Sequence, residues 1–165
     1  MRHAKSDWNT DASMDFDRPL ASRGKRDGVC MGKWLQEKQL IPDCFISSPA
    51  KRARQTSLLI AKEIEISVDE IIWVKPVYAA SLQELLEIVE AYSSDVTCLL
   101  LVGHNPGLDE LLCYLALEQP TLTAKGKLMT TAAIAVLNFG RKAISANTSS
   151  ASLEMLVRPK KVLMS

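Results

Sequence analysis

The chain is predicted to fold as an α/β three-layer sandwich, with a mainly parallel central sheet and helices on both faces. Three observations predict it. Strand-type apolar runs alternate with helix patterns along the chain; the run "TCLLLV" is apolar throughout, as a strand covered on both faces must be; and helix start signals follow directly on strand ends. With 165 residues, one domain spanning 1–165 is expected, long enough to bury a real core.

The elements follow in order. "ASRGKRDGVCMGKWLQEKQL" reads as a helix entered near Ser22, with Val29, Trp34 and Leu35 among its apolar positions and glycines that weaken it. "DCFIS" is a short strand. In "SPAKRARQTSLLIAKEI", Ser48 is expected as N-cap and Pro49 as the first helical residue. "EIIWVKP" is a strand stopped by Pro76. "SLQELLEIVEAY" sets Ser81 three residues before Glu84, a capping box opening an amphipathic helix. After the buried strand "TCLLLV", "NPGLDELLCYLALE" predicts another helix, with Asn105 as N-cap and Pro106 just inside. "TAAIAVLNF" and "SLEMLVRP", joined only by a polar loop, are expected to pair as an antiparallel hairpin at one side of the sheet.

Composition narrows the function. A hydrophobic fraction of 47% and a charged fraction of 24% are ordinary for a globular protein. The net charge of +1 supplies no global field for nucleic acid or an acidic membrane, and no basic run or aromatic richness suggests nucleic-acid binding. The apolar runs are too short to span a bilayer, and the charged start predicts no signal peptide. Cys30, Cys44, Cys98 and Cys113 form no C-x-x-C pair, and Cys44 and Cys98 lie in apolar runs, so buried reduced thiols and a cytoplasmic location are expected. With His3 and His104 as the two histidines, far apart in sequence, no metal and no cofactor are expected.

In parallel α/β folds, ligands bind beyond the carboxyl ends of the strands. Three such junctions carry chemistry: "RHAKS", "ISSPAKRARQT" and "LLLVGHNPG". Brought around one site they supply Arg2, His3, Arg52 and His104, beside helix starts whose free N–H groups favour anions. Two guanidiniums and two imidazoles form a phosphate pocket, since the planar guanidinium fork meets phosphate oxygens in pairs. Lys51 and Arg54 read as solvated charge. Arg18 and Arg23 read either as surface charge or as groups steering an anionic substrate, and Tyr78 as a rim, core or site residue.

The order R-H-A-K, "DFDRPLASRG", S-S-P-A-x-R-A-x-Q-T and V-G-H-N-P-G-L resembles the histidine phosphatase superfamily, and more narrowly the small SixA-type phosphohistidine phosphatases, from Met1 to about Phe139. The resemblance implies a phosphohistidine intermediate, with His3 as nucleophile and Arg2, Arg52 and His104 as the phosphate pocket. It also implies an apolar strand before the R-H pair. Only Met1 stands there, so a truncated first strand is expected. Superfamily members that act on phosphate esters often carry a carboxylic acid beyond the third strand. Glu84 is the nearest candidate, although its capping box explains it structurally. A missing general acid favours a phosphohistidine-bearing protein as substrate, because imidazole leaves more easily than an alkoxide. The alternatives are a phosphatase for small phosphate esters using Glu84, and a non-catalytic phosphate-binding module. No nucleic-acid or membrane partner is expected, and a monomer is.

Overall fold

The computed structural model describes residues 1–164. Three parallel strands, β1 (Cys44–Ser47), β2 (Ile71–Trp73) and β3 (Leu99–Val102), pair in the order β2-β1-β3. Their connections are helical: α1 (Ser22–Glu37) precedes β1, α2 (Lys51–Glu63) joins β1 to β2, and α3 (Leu82–Tyr92) joins β2 to β3. After β3 come α4 (Gly107–Leu115), the antiparallel pair β4 (Ile134–Asn138) and β5 (Ser152–Val157), and the short α5 (Pro159–Val162). The parallel sheet and the late hairpin are as the sequence predicts.

Residues 1–4 occupy the gap between β3 and the start of β4. Arg2 bridges in parallel to Gly103. His3 N–H donates to Gly103 O (3.1 Å), and Gly103 N–H returns a bond to Met1 O (3.1 Å). On the other side, Arg2 N–H donates to Ala133 O (3.0 Å) and Ala132 N–H to His3 O (3.1 Å). This short stretch therefore takes the strand position between the two halves of the sheet and satisfies backbone groups on both of them.

The strands alternate faces with period two, which puts the core in two layers. Phe45, Leu100 and Val102 face Met31, Trp34 and Leu35 of α1 and Ala53 and Ile60 of α2. Cys44, Ile46 and Leu101 face Leu85 and Ile88 of α3 and Leu108, Leu111 and Leu112 of α4. Each buried Leu or Ile contributes about 1.5–3 kcal/mol. The glycines of α1 have a packing reason. A Cβ on Gly28 would lie 3.0 Å from the Leu59 side chain, one on Gly32 2.8 Å from that of Glu63, and one on Gly24 only 2.0 Å from the Lys5 carbonyl oxygen. Spaced by four, they let α1 lie directly on α2 and on the chain just after His3.

Two helix starts differ from expectation. The second helix begins at Lys51 with Ala50 at the N-cap, so Ser48 and Pro49 lie outside it; the fourth begins at Gly107, with Pro106 at the cap and Asn105 outside. In both, the expected capping side chain is taken by the neighbourhood of the histidines, as described below. The capping box of Ser81 and Glu84 is present as predicted. All four cysteines are free, but only Cys44 is buried; Cys30 and Cys98 are half-buried and Cys113 is exposed, which corrects the expectation of buried thiols. No helix among the described residues is long and apolar enough to cross a membrane.

Candidate active site

The structure brings Arg2, His3, Arg52 and His104 together at the carboxyl ends of the central strands. The rings of His3 and His104 lie 4.9 Å apart, centroid to centroid. Both are buried, as is Arg52. His3 Nδ1 lies 2.7 Å from the Ala4 carbonyl oxygen. A carbonyl can only accept, so Nδ1 carries the proton and Nε2 keeps its lone pair. Arg52 Nε–H donates to that Nε2 (3.3 Å). Burial, with help from the nearby His104 and the charges of Arg52 and Arg2, lowers the His3 pKa to about 3, and the ring is neutral at physiological pH. His104 is lowered to about 4, by burial first and then by the charge of Arg52.

Hydrogen bonds between the motifs, and from Met129, hold these groups in place. Ser48 meets His104 Nε2 at 2.8 Å, which draws Ser48 away from the expected helix cap. Thr56 Oγ1 accepts from Ala4 N–H (3.0 Å) and donates to Arg52 O (2.7 Å), tying the chain after His3 to α2. Gln55 Oε1 accepts from Leu20 N–H (2.7 Å) and so fixes the "RPL" segment. Arg2 Nη1 donates to Met129 O (2.8 Å), the Asn105 amide to the same oxygen (3.2 Å), and Met129 N–H to Asp109 Oδ1 (3.0 Å). Among the described residues, Arg2 Nε and His104 Nδ1 are buried without a hydrogen-bond partner.

Sequence reasoning missed Asp15. The 3-10 turn Asp15–Asp17 folds over the site. Arg52 Nη1 donates to the Asp15 carbonyl (2.6 Å) and Nη2 to its Oδ2 (2.8 Å), while Arg18 grips Oδ1 through Nη2 (2.7 Å) and Nε (3.2 Å). Arg18 also donates to Ser6 Oγ and stacks 3.7 Å over the Trp8 ring. The Tyr78 hydroxyl donates to Asp15 Oδ2 (3.1 Å), and its ring stands edge-on to His104 at 5.4 Å. The hydrogen bonds from Arg18, followed by the charge of Arg52, lower the Asp15 carboxyl to about 2. The "D-x-x-R" spacing of Asp15 and Arg18 is the signal that could have found this pair.

The other sequence candidates separate cleanly. Arg18 belongs to the site through Asp15, whereas Arg23 is exposed and pairs with Asp27 (3.3 Å). Arg54 stacks over Trp73 (4.8 Å). Glu84 spends its hydrogen bonds on Ser81 N–H and Oγ–H, both at 2.8 Å, and these bonds lower its pKa. Glu84 is thus the helix cap that the capping box predicts, and these bonds favour its ionised form. Among the described residues no group of three or more His, Cys, Asp or Glu side chains could hold a metal ion.

Chemically, the site offers a neutral nucleophilic nitrogen beside two guanidiniums and a second imidazole. Residues 1–72 match the family model "Histidine phosphatase superfamily (branch 1)". An uncharacterized protein of Mycobacterium tuberculosis is 37% identical over 116 residues, covering 70% of both chains. The SixA protein of Agrobacterium tumefaciens superposes with a TM-score of 0.77 at 27% identity, covering 96% of this chain and 95% of that one. The protein histidine phosphatase SixA complexed with tungstate superposes with a TM-score of 0.79 at 22% identity, covering 98% and 96%, a likeness of fold.

Proposed function

Because this chain belongs to the histidine phosphatase superfamily, we propose that it removes phosphate from histidine side chains of a partner protein by way of phospho-His3. The observation that carries this reading is the state of His3: its Nδ1–H is committed to Ala4 O, and its Nε2 lone pair faces Arg52 at 3.3 Å. Nε2 attacks phosphorus in line with the leaving nitrogen. A nitrogen–phosphorus bond forms at His3 as the substrate's own breaks, and its electron pair stays on the leaving ring. Water then attacks phosphorus, the second bond breaks, and the pair returns to Nε2. Arg2 and Arg52 balance the charge on the oxygens and the neutral His104 ring flanks them, so the protein's contribution is positioning and electrostatics.

The substrate class follows from the carboxylates. Glu84 is tied up as a helix cap, and Asp15 is held ionised by Arg18 and Arg52. Neither is suited to protonate a leaving alkoxide, which a phosphate ester requires. A phosphoimidazole protonated at its second nitrogen leaves as neutral imidazole, whose conjugate-acid pKa is about 6.5, without that help.

The test incubates the protein with a phosphohistidine-bearing protein and with an aryl phosphate at several pH values. Turnover of phosphohistidine is expected, with an acid-labile, base-stable phosphoryl label on the enzyme. His3→Ala should lose both turnover and label while keeping its circular dichroism. Comparable hydrolysis by the Ala variant would remove His3 as nucleophile.

A further inference from the structure

The pocket has a floor and a rim of different chemistry. His3, His104 and Arg52 are buried, while the Asp15 side chain, bonded to Arg52, keeps 47% of its surface exposed. In-line transfer puts the leaving group opposite His3 Nε2, on the solvent side. The groups on that side that reach back to the floor are Asp15, through Arg52, and Tyr78, through His104. Phe16 completes the rim, edge-on to Tyr78 at 5.0 Å.

Tyr78 is the member with bonding capacity left. The four donors around Asp15, two from Arg18, one from Arg52 and one from Tyr78, fill its carboxylate lone pairs. The Tyr78 oxygen donates its proton to Asp15 and retains acceptor lone pairs of its own. Burial and the neighbouring carboxylate both raise the Tyr78 pKa, which keeps that hydroxyl protonated. An ionised carboxylate behind a hydroxyl, between two aromatic edges, suits a flat cationic ring bearing an N–H.

Resting on the phosphohistidine reading above, we propose that Tyr78 is a specificity-determining residue, whose oxygen accepts a hydrogen bond from the ring N–H of the substrate's protonated phosphoimidazole while its own hydroxyl donates to Asp15. The bonds run from ring N–H to the Tyr78 oxygen, and from the Tyr78 hydroxyl to Asp15 Oδ2. A phosphoimidazole protonated at its second nitrogen is a cation. When its nitrogen–phosphorus bond breaks, the electron pair neutralises the ring and imidazole departs, still carrying that N–H. No proton has to move during the transfer. The rim thus holds the substrate in its reactive protonation state and gives nothing comparable to an ester, whose leaving oxygen bears no N–H.

The test is Tyr78→Phe, which deletes one oxygen and keeps the ring against His104 and Phe16. The probes are phosphoimidazole and p-nitrophenyl phosphate, whose good leaving group needs neither acid nor N–H partner. The expected result is a fall of about tenfold or more in kcat/KM for phosphoimidazole, the size of a lost charge-assisted hydrogen bond, with less than a twofold change for the aryl phosphate. The basic limb of the phosphoimidazole pH profile should also move to lower pH. Equal losses on both probes would make Tyr78 merely structural, and no loss on either would remove it from the site; both overturn the proposal. If the wild-type protein turns over the aryl phosphate and not phosphoimidazole, the phosphohistidine reading itself falls, and this inference with it.

Discussion

His3 and His104 are neutral imidazoles carried in the interior, and their protonation is linked to folding. An unfolded histidine takes up a proton near pH 6.5, whereas in the folded protein His104 does so near 4 and His3 near 3. Between those values the unfolded chain binds more protons, so stability is full above about pH 6.5 and falls as the pH drops. Asp15 adds to the loss below about pH 4, weakly because it is half exposed. Urea midpoints are therefore expected to fall from pH 7 to pH 4.5, with a shallower fall in His3→Ala; a flat profile in the wild type would contradict the buried neutral rings. The arginines give a second comparison. Arg52→Ala removes a buried donor that meets His3 and should cost a few kcal/mol of transition-state stabilisation, or about a hundredfold or more in rate. Arg54→Ala, which leaves only the Trp73 face, should change turnover less than about threefold. Steady-state kinetics of the two variants, with similar losses in both, would count against the role of Arg52. At this scale the charged floor was legible in the sequence, because parallel sheets collect strand-end residues. Asp15 and Tyr78 were not legible as a pair, since their meeting depends on how two loops fold over one another.

Among the elements, α1 shows why local propensity misleads. Each helical glycine costs about 1 kcal/mol relative to alanine, and three of them argue against a helix when the sequence is read alone. The packing against α2 and Lys5 supplies the compensation. Gly24 is the sharpest case: an added methyl would meet the Lys5 backbone, two residues beyond the proposed nucleophile. Gly24→Ala is expected to destabilise by about 1–3 kcal/mol, the usual cost of overpacking, and to lower kcat by displacing His3. Thermal unfolding and turnover on the same sample check it, and a variant unchanged in both would mean that the helix slides at no cost. The elements themselves were legible from periodicity and turn residues. The starts of α2 and α4 were misplaced by two residues or so for a physical reason. Ser48 and Asn105 have capping chemistry, but here they bind His104 and the Met129 carbonyl, and the helices begin after them.

For the molecule as a whole, the joint at residues 1–4 matters most. It hydrogen-bonds to Gly103 on one side and to Ala132 and Ala133 on the other, so the proposed nucleophile is held only when both halves of the sheet are in place. Turnover and sheet structure should therefore vanish together in denaturant. Parallel titrations by activity and by far-ultraviolet circular dichroism are expected to share one midpoint, and loss of activity at clearly lower denaturant would mean that the joint opens independently of the sheet.

The same joint bears on the protein's birth. The ribosome makes the segment carrying His3 well before the strand containing Gly103 and long before Ala133. Closing those long loops is entropically costly and comes late in folding. Through most of its synthesis the nascent chain thus carries the proposed nucleophile with no pocket around it. The proposed site is assembled only when the distant partners of Arg2 and His3 have emerged and folded back, so partial products of translation lack it.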